Sequence, residues 1–579
     1  MFRTIVRKFF PNPFDWMLKR TARKGGKRIL LGWNRGLGDI ALGLYAMVER
    51  IREFIPDAEI TFVTRENLRD GFSMLEGVKT IVIPEWKRGQ PLKIREVVDP
   101  KQFDLIIEKP SPTDWVPWQR GKVIPKLKWN KNHDALYEKF GLSGSYIGAQ
   151  VVAETNYGLW RNWPLERWTQ LFDRLGHQKI LLFGFGDEPK FTHKNVVDLR
   201  GKTTLFELLS IIKNCCHALI LPDSGIASMA YYLDASFPLK LITLWADPNH
   251  GILKQQVSSP NPQLIHCPLI GERRDLSTIT ADQVIKQLFP AKPLQSCMAA
   301  SEIEPKPVAN TLCIILAGGQ GSRLGLQGPK GLFPIHQKTL FQWICERSAQ
   351  LPLAVMTSPL NHDETVAYFE KHHYFGREIH FFQQEMSPFL DENRRSLKIQ
   401  GPNGNGSVFR SFVKSGLADL FAKRGIDLIS VSYVDNPLAD PFDPALITYA
   451  RSEKADVVIQ CIERSERYPS MGALVERAGK IEVVEYTELD PAETYKYAYS
   501  GQLIFDFSFF CKMADISLPL HWVRKRSDPI WIWKGEQFIF DVLPYASRAR
   551  AVVAPRESCY APLKGPESIE VVQQILRTR

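Results

Sequence analysis

A glycine-rich loop at residues 316–331 constrains this chain more than any other stretch. It reads Leu-Ala-Gly-Gly-Gln-Gly-Ser-Arg-Leu-Gly from position 316, continues to Pro329-Lys330-Gly331, and follows an apolar run at 312–316. That run is typical of a buried strand. Glycines allow backbone N–H groups to approach an anionic ligand, and Arg323 and Lys330 place two cations in the same loop. The pattern favours a triphosphate-binding loop over the alternative, a plain turn with two solvated cations.

Two better-known phosphate loops are excluded. The loop has no Gly-Lys-Ser/Thr ending, which a P-loop requires, and its glycine spacing differs from the dinucleotide-binding pattern. Downstream, strand-like and helix-like stretches alternate, which predicts a mostly parallel sheet with helices on both faces. The expected strands are 312–316, 353–357, 379–382 and 428–434.

Further short motifs follow the loop along the chain. They are Met356-Thr357-Ser358, 381–384, 402–406, Val434-Asp435-Asn436, Val484-Glu485-Tyr486, Phe540-Asp541 and 561–564. In this order they resemble the UDP-sugar pyrophosphorylases over residues 311–579, and most closely the UDP-N-acetylglucosamine pyrophosphorylases of eukaryotic type. The resemblance implies a GT-A-like, Rossmann-like nucleotidyltransferase domain. Its expected substrates are UTP and a sugar 1-phosphate (N-acetylglucosamine 1-phosphate first), its products a UDP-sugar and pyrophosphate, and its cofactor Mg²⁺.

The resemblance also implies a role for individual residues. Asp435 would hold Mg²⁺, and Gln502 replaces an asparagine that contacts the sugar, so the identity of the sugar stays open. The uridine contacts would be Leu316, Ala317, Gly318, Gly319, Gln384 and Gly404. The catalytic cations would be Arg323, Lys330 and Lys564, with Lys534 at the phosphates and Asn405, Glu485 and Tyr486 at the sugar.

Several of these residues have simpler explanations. Asp435-Asn436-Pro437 is also compatible with a plain turn at the end of a strand, although ligands bind at that edge of an α/β sheet, which favours a metal. Lys534 and Lys564 by themselves would be solvated surface lysines. Gln384 would cap a sheet edge.

The first half of the chain contains two sets of alternating strands and helices. Strands are expected at 28–33, 59–64 and 104–108, and a second set near 150, at 179–184, 218–221 and 240–245. A glycine turn, Gly36-Leu37-Gly38-Asp39, follows the first strand, at the edge where open α/β sheets bind ligands. This predicts a two-Rossmann, GT-B-like fold that divides near residue 145.

Ordered motifs in this half resemble the family 9 glycosyltransferases, the heptosyltransferases, over residues 28–290. The motifs are Gly36-Leu37-Gly38-Asp39, 161–168, 183–188, 199–203 and Asp223-Ser224-Gly225. The resemblance implies a glycosyltransferase acting on a lipid-linked or lipopolysaccharide-type acceptor. It makes Asp39 the base and places Arg161, Asp223, Ser224 and Gly225 at the nucleotide donor.

This half also departs from the family. Ser228 stands where the family usually has histidine, and Trp245-Ala246-Asp247-Pro248 replaces a Gly-Pro-Thr-Asp-Pro segment. Both changes affect the expected donor pocket, so an inactive binding module is the alternative function. A carboxylate at a helix start, such as Asp39, is also explained by charge complementarity.

The positive charge is concentrated at the N-terminus. Residues 1–28 contain nine Lys and Arg against Asp15, which gives +8 of the net charge of +11, so nucleic acid is not an expected partner. Residues 1–27 also carry several aromatic side chains, which together with the cations suit the surface of an anionic membrane. The alternative is a segment that packs on its own domain.

The remaining features indicate a cytoplasmic protein, peripheral at most to the inner face of a membrane. Nine cysteines, none in a Cys-x-x-Cys pair, suggest reduced thiols, and no apolar run approaches the ~20 residues of a membrane span. The Pro-, Ser- and Ala-rich stretch 291–310 predicts a linker. The expected domains are therefore the basic segment 1–27, the transferase-like domain 28–290 and the pyrophosphorylase-like domain 311–579.

Overall fold

The computed structural model of the chain describes residues 12–91, 93–153, 161–176, 178–347, 350–392, 395–465, 471–527 and 530–577, with the backbone alone at 525–527 and 530. Contacts divide the chain into two units, Met1–Phe289 and Pro290–Arg579. Each unit contains parallel sheets with apolar cores on their faces. The chain is thus an α/β protein, as the alternation of strands and helices predicts.

Two parallel sheets form the N-terminal unit. The first sheet has four strands, in the order Val78–Val82, Glu59–Thr64, Arg28–Trp33 and Leu105–Ile107. The second has six, in the order Leu264–Ile270, Leu239–Trp245, Cys216–Pro222, Tyr146–Ala149, Ile180–Leu182 and Val196–Asp198. A short parallel pair joins Leu127–Lys128 to Leu233–Asp234. Two separate parallel sheets agree with the predicted halves, whereas the GT-B-like assignment stays a prediction.

Helices connect the strands of this unit, and side-chain caps begin several of them. Thr204 and Glu207 form a capping box at the start of Leu205–Cys215, as Thr280 and Gln283 do for Ala281–Leu288. In the described part of this unit, the other α-helices are Pro13–Arg23, Tyr45–Phe54, Arg69–Ser73, Ile94–Val97, Leu165–Arg174, Gly225–Tyr231 and Gly251–Gln255.

The basic N-terminal segment is partly a packed helix. Pro13–Arg23 buries Phe14 and Leu18 completely in the core of the N-terminal unit, and Asp15 pairs with Arg50 at 2.6 Å. Asn12 caps the helix by accepting the backbone N–H of Phe14. The part from residue 12 onward therefore packs on its own domain. The apolar and basic side chains of residues 1–11, on which most of the predicted membrane contact depends, lie outside the described residues.

The C-terminal unit is built on one large mixed sheet. Its main path runs Met298–Ala299, Ala549–Val553, Val457–Glu463, Tyr497–Asp506, Leu428–Tyr433, Thr311–Leu316, Leu353–Thr357 and Ile379–Gln383. Tyr497–Asp506 is antiparallel to both of its neighbours, and the other pairs on this path are parallel. Thr311–Leu316 is buried along its whole length, as expected for a central strand covered on both faces.

The remaining elements surround this sheet. The strands Ala473–Arg477 and Lys480–Val484 form a hairpin beside it, Pro334–Ile335 pairs with Lys338–Thr339, and a separate antiparallel sheet contains Ser396–Pro402, Met386–Leu390, Ile530–Glu536 and His521–Ser527. The α-helices among the described residues of this unit are Leu340–Arg347, His362–Lys371, Val408–Lys414, Leu417–Lys423, Pro444–Glu453, Phe507–Lys512, Arg556–Cys559 and Pro566–Arg577. Across the described ranges, no helix is long and apolar enough to cross a membrane.

The stretch 291–310 differs from the linker that its composition predicts. Lys292–Pro293 pairs with the strand Ala473–Arg477, and Met298–Ala299 adds to the edge of the large sheet. Leu294 is buried, and its backbone N–H donates to the carbonyl of Leu474. Paired strands of two residues leave no periodic pattern in a sequence, so composition alone suggested a linker.

Candidate active site

The glycine-rich loop folds back on itself at the carboxyl end of its strand. The Gly321 N–H donates to the Gly328 carbonyl at 2.8 Å, and the Lys330 N–H donates to the Gly319 carbonyl at 3.1 Å. Asn361 ties the loop to the neighbouring strand, because its amide nitrogen donates to the carbonyls of Ala317 and Gly319. Asn361 was not identified from the sequence, since it lies outside every motif that was recognised.

Gly318 is the point of closest approach between this loop and the next one. A Cβ at this position would lie 2.1 Å from Nε2 of Gln384, so any side chain here would have to displace that amide. The Gln384 N–H donates to the Thr357 carbonyl, and the adjacent Glu385 carbonyl accepts the Asn403 N–H. The structure thus brings the predicted uridine contacts of the glycine loop, Gln384 and the segment before Gly404 to one edge of the sheet.

Asp435 carries a direct ion pair with the lysine of the loop. Its Oδ2 lies 2.8 Å from Nζ of Lys330, and both side chains are partly buried. The Asp435 carbonyl accepts the Leu563 N–H at 2.8 Å, and Asn436 bonds the backbone of Cys559 and Ala561. The segment that carries Lys564 is therefore fixed next to Asp435.

A cavity of about 240 Å³ lies beside this ion pair. Four predicted residues line it: Asn405, Asp435, Glu485 and Lys564. Burial raises the pKa of the Glu485 carboxyl above its ordinary value. The rest of the wall is largely aromatic. It includes Phe540, which lies in one of the sequence motifs, and Tyr433, Tyr499, Phe538 and Tyr560, which were not predicted as site residues.

Asn405 is held from two sides. Its amide nitrogen donates to the Tyr433 hydroxyl at 2.8 Å, and its oxygen accepts the Ile539 N–H at 2.8 Å. Burial raises the pKa of the Tyr433 and Tyr499 hydroxyls above their ordinary value, and that of Tyr560 to about 12, so these walls stay uncharged near neutral pH.

The structure places the other predicted residues outside the lining of this cavity. Gln502 is buried and donates to the Asp440 carbonyl at 2.6 Å. Tyr486 and Arg323 are exposed. Lys534 pairs with Glu536 at 2.6 Å in the separate antiparallel sheet.

A second, larger cavity of about 350 Å³ lies within the N-terminal unit, where loops of its two sheets meet. Asp39 lies on its wall, with its carboxylate over Gly36. Burial raises the pKa of Asp39 to about 6, against the opposing effect of a backbone hydrogen bond from Gly36 and the nearby charges of Arg88 and Arg35. A partly enclosed carboxylate with such a pKa is suited to accept a proton near neutral pH.

The predicted donor residues line the same cavity. Arg161 Nη1 lies 3.2 Å from Oδ2 of Asp223, and burial raises the pKa of the Asp223 carboxyl. The Ser224 hydroxyl donates to the side-chain oxygen of Gln150 at 2.7 Å. The structure therefore brings Asp39, Arg161 and the 223–225 turn around one space.

Comparison with known proteins agrees with the geometry of the C-terminal unit. The family described as UTP–glucose-1-phosphate uridylyltransferase matches residues 274–506. A "Probable UDP-N-acetylglucosamine pyrophosphorylase" of Encephalitozoon cuniculi is 31% identical over 276 residues, which cover 43% of this chain and 79% of that protein. The chain belongs to the UDP-glucose/UDP-N-acetylglucosamine pyrophosphorylase family.

Other members of the pyrophosphorylase family match over a smaller share of their length. The chain is 28% identical over 311 residues to a "Probable UDP-N-acetylglucosamine pyrophosphorylase" of Dictyostelium discoideum, covering 43% of this chain and 64% of that protein. It is 31% identical over 326 residues to UDP-N-acetylglucosamine diphosphorylase 2 of Arabidopsis thaliana, and the match covers 46% of this chain and 65% of that protein. It thus spans just under two thirds of these relatives.

A solved structure also matches part of the chain. The uridine diphosphate N-acetylglucosamine pyrophosphorylase of Trypanosoma brucei matches with a TM-score of 0.42 at 28% identity, covering 45% of this chain and 64% of that one. The family match begins at residue 274, so it gives no support to the glycosyltransferase resemblance of residues 28–290, which stays a prediction.

Proposed function

We propose that the C-terminal unit is a uridylyltransferase that makes a UDP-sugar and pyrophosphate from UTP and a sugar 1-phosphate, with N-acetylglucosamine 1-phosphate as the preferred substrate. One observation carries this proposal: the Lys330–Asp435 ion pair joins the glycine loop to a cavity lined by Asn405, Glu485 and Lys564. Membership of the pyrophosphorylase family supports the same reaction.

The reaction requires alignment and charge stabilisation. An oxygen of the sugar 1-phosphate attacks the α-phosphorus of UTP, and the bond from that phosphorus to the pyrophosphate oxygen breaks, so no covalent bond to the protein is needed. Lys330, in the loop, and Lys564, beside Asp435, would stabilise the charge on the leaving pyrophosphate. The aromatic wall would limit the access of water to the sugar 1-phosphate.

Asp435 fits a magnesium ion. Its carboxylate already attracts a cation, the Lys330 ammonium, and its oxygens are hard ligands of the type Mg²⁺ prefers. Within the described part of the chain, no group of three or more His, Cys, Asp or Glu side chains is arranged to hold a metal, so phosphate oxygens and water would complete the shell. When bound, Mg²⁺ would neutralise phosphate charge.

The test of this proposal uses the full chain with UTP and Mg²⁺. Pyrophosphate release is measured with a panel of sugar 1-phosphates that includes N-acetylglucosamine, N-acetylgalactosamine and glucose 1-phosphates. Release with N-acetylglucosamine 1-phosphate, and little with ATP in place of UTP, is the expected result. No release with any sugar of the panel would remove the proposal.

For the N-terminal unit we propose a glycosyltransferase that uses a UDP-sugar, the product of the C-terminal unit, and a lipid-linked or lipopolysaccharide-type acceptor. The supporting observation is the cavity in which Asp39, with its raised pKa, lies among the same walls as Arg161 and Asp223. Asp39 would take the proton of the acceptor hydroxyl as the hydroxyl oxygen attacks the sugar carbon and UDP leaves.

Incubation of the full chain with a radiolabelled UDP-sugar and a truncated lipopolysaccharide tests this function. Transfer of label to the acceptor is expected, and Asp39→Asn should abolish it while UDP binding persists. If the wild-type chain binds UDP in this unit without transferring sugar to any acceptor, the unit is a binding module instead.

We also propose that residues 1–28 contact an anionic membrane surface. The described portion supports this, because helix Pro13–Arg23 buries its apolar side while Trp16 stays 54% exposed. Co-sedimentation with vesicles should require anionic lipid and decrease with added salt. Equal binding by a chain that lacks residues 1–11 would contradict a role for that segment.

A further inference from the structure

A histidine that the sequence did not single out lies on the wall of the N-terminal cavity. His250 directly precedes the short helix Gly251–Gln255 and lines the cavity together with Arg161. Arg161 Nη2 lies 3.1 Å from Nδ1 of His250, while Nη1 of the same guanidinium faces Asp223 at 3.2 Å. One guanidinium is thus shared between a carboxylate and an imidazole at the surface of the cavity.

The loop that carries His250 is fixed in place. A Cβ at Gly251 would lie 2.5 Å from Oδ1 of Asp223, so the loop packs directly on that carboxylate. Behind the ring, Asp247 Oδ2 lies 3.5 Å from Nε2 of His250 and 3.0 Å from Arg274, and Asp247 Oδ1 accepts the backbone N–H of Asn249. Such a carboxylate orients an imidazole.

Position 228, where the resemblance would place a histidine, contributes a serine to the same cavity. Ser228 is 2% exposed, and a Cβ at Gly38 would lie 3.2 Å from its hydroxyl oxygen and 3.3 Å from Cα of Gly225, so the two glycine turns pack closely around it. Among the residues that line this cavity, the imidazole comes from position 250.

Charge around the cavity favours an anionic ligand. Against the carboxylates of Asp39 and Asp223, its lining includes the cationic side chains Arg35, Arg65, Arg88, Arg120, Arg161 and Lys254. Several cationic side chains that lie close together and are partly enclosed by protein attract phosphate groups. Burial and the charge of Arg120 lower the pKa of Lys254. A bound anion would raise that pKa again.

We propose that His250 contacts the diphosphate of the nucleotide donor, side by side with Arg161. This rests on the proposed glycosyltransferase function of the N-terminal unit. Diphosphate oxygens beside this pair would accept hydrogen bonds from the Arg161 guanidinium and, with the ring protonated on both nitrogens, from Nδ1 of His250, while Asp247 faces Nε2 from behind. His250 then supplies an imidazole contact from a position other than 228, which carries serine.

The experiment measures UDP and uridine binding by calorimetry on the full chain. A parent variant, Gly318→Val, removes nucleotide binding by the C-terminal unit, because a side chain there meets Gln384; loss of pyrophosphate release verifies it. His250→Ala is compared with the conservative His250→Gln. The matched control is His217→Ala, since His217 is exposed, bonds the Ser145 hydroxyl, and belongs to the same unit outside the cavity lining.

We expect His250→Ala to weaken UDP binding about tenfold, the effect of one lost charge-assisted hydrogen bond, and to leave uridine binding unchanged. His250→Gln should restore part of the affinity, and His217→Ala should bind as the parent does. Unchanged UDP affinity in His250→Ala, or an equal loss for UDP and uridine, would overturn the role of His250. If the parent binds no UDP, the donor-binding function of the unit fails as well.

Discussion

Two carboxylates, one in each unit, lie on cavity walls but differ in what surrounds them. Asp435 is in direct contact with a lysine ammonium, at 2.8 Å. Asp39 lies over a glycine turn, and burial raises its pKa to about 6. Under the functions proposed above, the first carboxylate would hold Mg²⁺ and the second would take a proton. Their neighbours would then decide between two kinds of chemistry for the same side chain.

The two cavities also differ in the type of side chain that lines them. Tyrosines and phenylalanines surround the C-terminal cavity, which suits a sugar and the exclusion of water. Arginines surround the N-terminal cavity, which suits a ligand with several negative charges. The comparison shows that motifs at strand ends locate a site, while the side chains that close the site decide what it binds.

The largest effect is expected at the lysine of the glycine loop. Lys330→Ala should reduce the rate of pyrophosphate release by ~10²–10³, because one cation that meets developing charge is lost. Lys338→Ala is the matched control. Lys338 lies on the short hairpin that follows the loop, and it pairs with Glu346 of the next helix. Stopped-flow or coupled assays of pyrophosphate release give the rates, and circular dichroism verifies the fold.

Nearly normal turnover by Lys330→Ala would contradict a role of Lys330 in the reaction. It would also weaken the contrast between the two carboxylates, because Lys330 would then be only the partner of Asp435. Parallel loss in the Lys338→Ala control would indicate a general change in the loop and its hairpin.

Much of the framework was predictable from sequence. Apolar runs that are buried on both faces, such as Thr311–Leu316 and Leu353–Thr357, are the clearest signal of a parallel sheet, and the structure confirms both. The glycine loop follows the first of these strands, and Asp435 follows the strand Leu428–Tyr433. The family resemblance named these residues, and the tendency of ligands to bind at that edge of the sheet supported the choice.

The aromatic wall and the tethers could not be predicted in the same way. Tyr433 and Tyr499 lie within strands, where alternation indicates burial but not which cavity a side chain faces. Asn361 and His250 act through contacts with residues 40 to 90 positions away, which a pattern in one sequence does not reveal. Tertiary packing decides these positions.

An intermediate effect is expected at Asp39, and its sign depends on pH. The pKa of Asp39 is about 6 in the folded chain against an ordinary value of 3.8, so the folded state holds this proton over a pH range in which the unfolded state has lost it. The free energy of unfolding therefore decreases as pH rises through that window. At about pH 7 the ionised carboxylate costs about 2 kcal/mol, after allowance for partial solvent exposure.

Asp39→Asn should recover this free energy, so the variant should melt at a higher temperature than wild type near neutral pH and at the same temperature at about pH 4. Glycosyl transfer by the wild type should rise as pH increases through the Asp39 pKa. Calorimetric melting curves at both pH values make the comparison, with Asp114→Asn as control, since Asp114 follows Thr113 of the cavity lining and accepts a hydrogen bond from Ser111. Equal stabilisation at both pH values would show that the effect is not the ionisation of Asp39.

The smallest effect is expected at Gln502, which the family resemblance places at the sugar. Its side chain is buried, donates to the Asp440 carbonyl, and does not reach the cavity lined by Asn405 and Glu485. Gln502→Asn should therefore leave the preference for N-acetylglucosamine 1-phosphate over glucose 1-phosphate nearly unchanged, and lower stability by about 1 kcal/mol through the lost hydrogen bond.

Glu485→Gln, a change of similar size on the cavity wall, should instead raise the KM of the sugar 1-phosphate. The ratio of kcat/KM for the two sugars decides the matter, because a large change in Gln502→Asn would mean that the sugar lies deeper than the aromatic cavity and closer to the strand Tyr497–Asp506.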